Sequence, residues 1–199
     1  GWWQVLVIGV GLWTMLVGGW RALRQTDIKL VLAYGTVSQL GFLMVANGLG
    51  DRDAAMAGLA MLLAHALFKA PLFMVVGIID HEAGTRDLAR LSGIGRNHPW
   101  LFGTAVVCAA SMAGIPPLFG FVAKETVLES LTHWGEHGAA GAGLWATVWA
   151  WTPLVLVSIG TVMTVAYSAR FLWGAFATKT LRTDQGLVTV EDTQFHGPV

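Results

Sequence analysis

Ala113-Gly114-Ile115-Pro116-Pro117-Leu118-Phe119-Gly120-Phe121-Val122-Ala123-Lys124-Glu125 is the stretch whose reading decides the fold. It lies inside an apolar run from about residue 100 to 131, long enough as a helix to cross the roughly 30 Å of bilayer hydrocarbon. Pro116 and Pro117 remove two backbone donors and disfavour helix in the residues before them, so a helix over this run must break. Irregular backbone at membrane depth survives only where it is buried in protein or lines a wet cavity, and the half-helix ends it creates present their dipoles to a permeating ion. Lys124 and Glu125 follow within two turns of the break. Lys124 is therefore expected to be functional. Glu125 is a second candidate, or a solvated acid at the outer interface.

Outward from this break, the chain reads as a membrane protein. Of its 199 residues 55% are hydrophobic and 12% charged, and the mean hydropathy is +0.61, whereas soluble domains carry about 25% charged residues. Four further runs reach membrane-spanning length, at about 2–20, 30–50, 54–79 and 145–177. The last exceeds one simple span, so its end from Tyr167 through Arg170 to Phe176 is expected at the interface. Trp2, Trp3, Trp20, Trp100, Trp145 and Trp149 fall near span ends, as an aromatic belt requires, and Trp13 does not. The expected architecture is an all-α membrane bundle of about five spans over residues 1–177, the fourth discontinuous, with a polar tail or linker over 178–199. The chain opens at Gly1 without a charged n-region or cleavage motif, so a signal peptide is not expected, and a segment of a longer membrane protein is.

Twelve Lys+Arg balance twelve Asp+Glu, which leaves no positive field for nucleic acid. Sorted by loop, Arg21, Arg24, Lys29, Arg86, Arg90, Arg96, Arg170, Lys179 and Arg182 fall on one side and Arg52 alone on the other. The positive-inside rule assigns the first side to the cytoplasm and starts the chain outside. The two remaining bases, Lys69 and Lys124, fall inside spans.

Lys69 and His65 are four residues apart and share one helical face. A lysine at a membrane-helix centre costs about 2.5–3.5 kcal/mol on insertion scales, and Lys69 is too deep in its run for simple snorkelling, so function is the expected offset. Both side-chain types can exchange protons. Tyr34, Thr36, Ser38 and Gln39 are polar positions of the second span, read first as interhelical hydrogen bonds and second as holders of water on a proton path. Asp80-His81-Glu82-Ala83-Gly84-Thr85-Arg86-Asp87 reads as a charged loop capping two helices. His133 and His137 have metal-compatible spacing, but Gly135 weakens the helix and no third ligand is evident, so no metal is expected. Cys108 reads as packing. No phosphate loop, nucleophile elbow or cysteine cluster is present, so no cofactor is expected, and a transporter component is preferred to an enzyme.

Thr26-Asp27-Ile28-Lys29-Leu30-Val31-Leu32-Ala33-Tyr34-Gly35-Thr36-Val37-Ser38-Gln39-Leu40-Gly41, His65-Ala66-Leu67-Phe68-Lys69-Ala70 and Gly114 to Glu125 together resemble the antiporter-like subunits shared by respiratory complex I and Mrp-type cation/proton antiporters. The likeness covers most of residues 1–131, and Ile79 to Asp87 looks most like the A-type subunit of the Mrp antiporters. The resemblance implies one of two inverted five-helix repeats, here the second, with span four as its broken helix and the first repeat outside this chain. It implies Lys124 as the lysine at the exit of a proton path, with His65 and Lys69 joining the two half-channels. Met61 stands where complex I relatives often carry a second histidine. By resemblance the partners are other membrane subunits, protons and Na+ or K+, and the setting is a bacterial inner membrane. The alternatives are a proton-pumping subunit of an NADH:quinone oxidoreductase and a structural, non-conducting subunit.

Overall fold

A computed structural model describes residues 2–140, 143–183, 186–189 and 191–195. Positions 1, 141, 142, 184, 185, 190 and 196–199, and the side chains of 181–183 and 186–189, that of Arg182 among them, lie outside the described residues. The helices are α1 (Trp2–Arg24), α2 (Ile28–Gly48), α3 (Arg52–Ala83), α4 (Ile94–Asn97), α5 (Pro99–Ala113), α6 (Phe119–Ala139) and α7 (Leu144–Phe176). Of these, α1, α2, α3 and α7 are each long and apolar enough to cross a membrane, and α5 is a shorter apolar helix of 15 residues. The tail carries a short antiparallel hairpin of β1 (Thr180–Thr183) and β2 (Gly186–Thr189).

Local chemistry sets the helix ends. Asp27 caps α2 by accepting from the Lys29 and Leu30 amides, and Asp51 caps α3 by accepting from the Ala54 amide, the standard repair for unsatisfied N-terminal donors. Gly84 ends α3 with φ +63° and Gly114 ends α5 with φ +86°, a left-handed conformation that glycine adopts without steric penalty. Between α5 and α6, residues 114–118 are non-helical.

α1 and α2 pack antiparallel at backbone distance. A Cβ on Gly18 would lie 2.6 Å from the Ser38 amide nitrogen, and one on Gly41 would lie 2.5 Å from that of Met15. Small residues of this kind let membrane helices approach closely. α3 packs against α2, α5 and α6, while α7 covers α1, α2, α5 and α6. The faces left uncovered are apolar and include Trp2, Trp13, Trp100, Trp145, Trp149 and Trp173, as expected where the solvent is lipid.

The α1–α2 turn, the α3–α5 loop and the tail sit at one end. Arg86 bridges Asp27 at 3.2 Å and Asp80 at 3.7 Å, while Ile28 N donates to Arg86 O and Leu88 N to Thr26 O. The charged loop after α3 thus ties the end of α3 to the start of α2. Arg170 reaches the Gln25 carbonyl at 2.9 Å. The tail docks here too. Lys179 Nζ donates to the carbonyls of Leu88, Leu91 and Gly174, Ser92 and Thr193 exchange two bonds of 2.8 Å, and Phe195 stacks on His98. Burial holds the Lys179 ammonium below the ordinary lysine range, partly opposed by Asp87.

In α7, Tyr167 is 0% exposed within the bundle, and its hydroxyl donates to Gly35 O of α2. The helix continues unbroken to Phe176 because Thr164, Tyr167, Ser168, Phe171 and Ala175 form a buried stripe at helical spacing.

Candidate functional site: two buried lysines in the bundle

Lys69 is 4% exposed, in mid-α3. Its ammonium crosses to α2 and donates to the Leu32 carbonyl at 3.0 Å. Gly35 makes this possible, since a Cβ there would lie 3.2 Å from Lys69 Nζ and 3.0 Å from the Tyr167 ring. Leu32 O also accepts from the Thr36 hydroxyl at 2.9 Å. Thr36 is therefore bonded within its own helix rather than across the bundle. His65, one turn away on the same face of α3, is buried with its ring edge-on to Phe68 at 5.4 Å, and its Nδ1 has no hydrogen-bond partner among the described residues.

Lys124 is 5% exposed in the first turns of α6 and donates to Met112 O at 2.7 Å and Ala113 O at 3.3 Å. The helical rule explains why these two carbonyls are free. Each would accept from the amide four residues on, and those residues are Pro116 and Pro117, which have no amide hydrogen. The prolines that break the helix thus orphan two carbonyls at the negative end of α5, and the lysine six residues after the break neutralises both. On the other side of the break, Ser111 Oγ accepts from the Gly120 amide at 3.2 Å, serving one open donor of α6. Glu125 is exposed and on another face of α6.

Neither buried lysine is paired with a carboxylate among the described residues. Both ammonium groups are held by backbone carbonyls of a neighbouring helix. α3, which carries His65 and Lys69, packs against both α5 and α6.

Of the polar positions in α2, Ser38 Oγ donates to Met15 O of α1 at 2.8 Å, and Gln39 Nε2 donates to Thr164 Oγ1 at 3.0 Å and Tyr167 OH at 3.2 Å on α7. These are the interhelical bonds expected of them. Tyr34 lies toward the basic end, where its hydroxyl accepts from Arg21 at 3.5 Å. Thr164 and Tyr167 are partners that the sequence reading missed. Their signal was present: polar residues three apart in an apolar helix share a face, as His65 and Lys69 do at a spacing of four. His133 and His137 lie ring to ring at 4.1 Å, with His137 Nδ1 2.9 Å from His133 O.

The family described as NADH:quinone oxidoreductase/Mrp antiporter, transmembrane, matches residues 1–165. Among curated proteins, the A-type subunit of the Na(+)/H(+) antiporter of Bacillus subtilis is 39% identical over 188 residues, covering 87% of this chain and 23% of that protein. The chain thus spans about a quarter of the length of this relative. In the Mrp complex of Dietzia sp. DQ12-45-1b, one chain superposes with a TM-score of 0.76 at 40% identity, covering 89% of this chain and 19% of its own. A chain of the membrane-bound sulfane sulfur reductase, an archaeal respiratory membrane complex, also superposes with a TM-score of 0.76, at 26% identity over 88% of this chain and 27% of its own.

Proposed function

This chain belongs to the NADH:quinone oxidoreductase/Mrp antiporter transmembrane family, and from that premise we propose that it supplies the exit half of a transmembrane proton path in a monovalent cation/proton antiporter. The observation that carries the reading is the pair of buried lysines held on backbone carbonyls without a carboxylate. A buried ammonium fixed by a carboxylate would be a structural ion pair. One held only by carbonyl dipoles can change charge without stranding a buried anion. The proton passes through Lys69 and His65 to Lys124, and leaves toward the end of the bundle that carries Arg52. Charge on one lysine alters the proton affinity of the next.

Residues 1–177 serve as one five-span repeat whose fourth span is α5 and α6 together, and 178–199 as a tail on the cytoplasmic end. The basic end faces the cytoplasm of a bacterial cell by the positive-inside rule. The uncovered apolar faces meet lipid, the other repeat of the same polypeptide and neighbouring membrane subunits. The exchanged cation is Na+ or K+, the first by likeness to the Bacillus subtilis protein. Glu125, exposed next to Lys124, is the acid that receives the proton at the exit.

In the intact complex, Lys124→Ala is expected to abolish proton-coupled cation export while the complex still assembles. Sodium and pH tolerance equal to wild type in cells carrying that variant would overturn the proposal. The likeness to the archaeal respiratory complex favours a second reading, a proton-pumping subunit driven by redox chemistry elsewhere. Co-purification with iron–sulfur subunits would decide for it.

A further inference from the structure

Gln39 has an amide whose orientation is dictated by its neighbours. The Thr164 hydroxyl donates its hydrogen to Gly160 O at 2.9 Å, and the Tyr167 hydroxyl donates to Gly35 O at 3.4 Å. The Thr164 hydroxyl has only one hydrogen, so toward Gln39 its oxygen can only accept, and the Tyr167 hydroxyl, which Ser38 and Thr164 also flank, lies beside it. Gln39 must therefore present its NH2 group to them, as it does at 3.0 and 3.2 Å. This turns its carbonyl oxygen away from α7. Gln39 is 0% exposed and Oε1 has no hydrogen-bond partner among the described residues. His65 Nδ1, on the neighbouring α3, is the other buried side-chain atom in this condition. Gln39 follows Gly35 by one turn of α2 and His65 precedes Lys69 by one turn of α3, and at Gly35 the Tyr167 ring and the Lys69 ammonium meet the α2 backbone.

Buried polar atoms are normally bonded, and one left open beside a titratable pair calls for an explanation in function. A merely structural glutamine between two helices would have both ends satisfied. Here one end is bonded to two hydroxyls, that of Thr164 with its hydrogen already committed, and the open end is an acceptor.

We propose that Gln39 is a relay acceptor between Lys69 and His65, and that Tyr167 and Thr164 are the positioning residues that hold its amide this way round. Its Oε1 accepts a hydrogen bond from the water that carries the proton. The proton leaves Lys69 as an N–H bond breaks to give the neutral amine, and it is taken up at His65 Nδ1, where an N–H bond forms to give the imidazolium. Gln39 holds the donor in place and is not itself protonated. This inference rests on the proton-path reading above and adds α7 to it.

The test uses the full-length protein in its assembled complex, with the maximal rate of proton-coupled cation transport and the apparent KM for the cation measured separately. Gln39→Leu is expected to lose at least tenfold in maximal rate with KM within twofold and complex yield unchanged. Gln39→Glu, which when protonated donates its one hydrogen to one of the two hydroxyls and keeps an outward carbonyl oxygen, is expected to recover about half of the wild-type rate. Tyr167→Phe combined with Thr164→Val keeps both side chains near their volumes but frees the amide to turn, and a three- to tenfold loss is expected. A wild-type rate in Gln39→Leu overturns the proposal, as does a loss that follows complex yield alone. If Gln39→Leu does not assemble, a wild-type rate in the Tyr167 and Thr164 variant overturns it. Lys124→Ala separates the two claims: inactive Lys124→Ala with active Gln39→Leu removes only the Gln39 assignment, and full activity in both removes the proton path itself.

Discussion

Lys69 and Lys124 are both buried ammonium groups near a proline, yet they are held for different reasons. Pro71, two residues after Lys69, sits inside a helix that runs unbroken from Arg52 to Ala83. The carbonyl it orphans is that of Leu67, on an exposed residue of the same helix, and Lys69 ignores it and crosses to Leu32 on α2. Pro116 and Pro117 break their helix, and Lys124 takes both of the carbonyls they orphan. The first lysine is a guest on a carbonyl that already has a side-chain donor in Thr36. The second is the cap of a half-helix. A single proline in a well-packed membrane helix is absorbed by its surroundings, whereas two in succession remove adjacent bonds and create a docking point for a charge.

The sharpest way to break this contrast is at the glycine that ends α5. Gly114 has φ +86°, and a Cβ there would lie 3.0 Å from Lys124 Cδ. Gly114→Ala combines left-handed strain of roughly 1–2 kcal/mol with displacement of the lysine stem from the carbonyls it caps. The expected result is the largest loss of thermal stability among these variants, together with loss of transport. A thermal midpoint for the purified complex equal to wild type would show that the cap does not depend on this geometry.

Exchanging each lysine for Met comes next in size. Lys124→Met strands the carbonyls of Met112 and Ala113, at about 1–3 kcal/mol for each unsatisfied group, less what is regained by no longer burying a charge. Lys69→Met leaves Leu32 O bonded to Thr36 and removes an ammonium whose insertion into a membrane costs about 2.5–3.5 kcal/mol. Lys124→Met should therefore lower the melting midpoint of the complex, while Lys69→Met leaves it unchanged or raised, although both stop transport. Equal midpoints would erase the distinction between cap and guest. A loss of assembly in both, with no separable transport defect, would favour a purely structural role for the pair.

Much of this was legible in the sequence because the bilayer simplifies the physics. Length and hydropathy alone mark α1, α2, α3 and α7, and two consecutive prolines mark the break between α5 and α6. The burial of Lys69 and Lys124 could be read from depth within an apolar run. Their partners could not, since backbone carbonyls carry no sequence signal, although the spacing of four from Met112 to Pro116 and from Ala113 to Pro117 shows which carbonyls lack a donor. The burial of Tyr167 within the bundle is not legible, because Arg170 three residues on marks a polar surface. The arginine turns outward to Gln25 at the α1–α2 turn while the tyrosine on another face stays buried. The docking of the tail was not legible, because Lys179 and Thr193 are ordinary polar residues until the α3–α5 loop meets them.

The smallest effect is expected at Pro71, and it tests the same contrast from its other side. Pro71→Ala returns an amide hydrogen that can bond Leu67 O and complete α3 through the level of Lys69. Because α3 is already helical there, the gain should be well under the ~3 kcal/mol by which proline disfavours a free helix interior, and a few tenths of a kcal/mol is the expected scale. Lys69 does not use the Leu67 carbonyl, so its bond to Leu32 should persist, and transport should stay within about twofold of wild type. If Pro71→Ala instead abolished transport as Lys69→Met does, Pro71 would be setting the position of the ammonium. The two lysines would then share one design, each placed by the proline beside it.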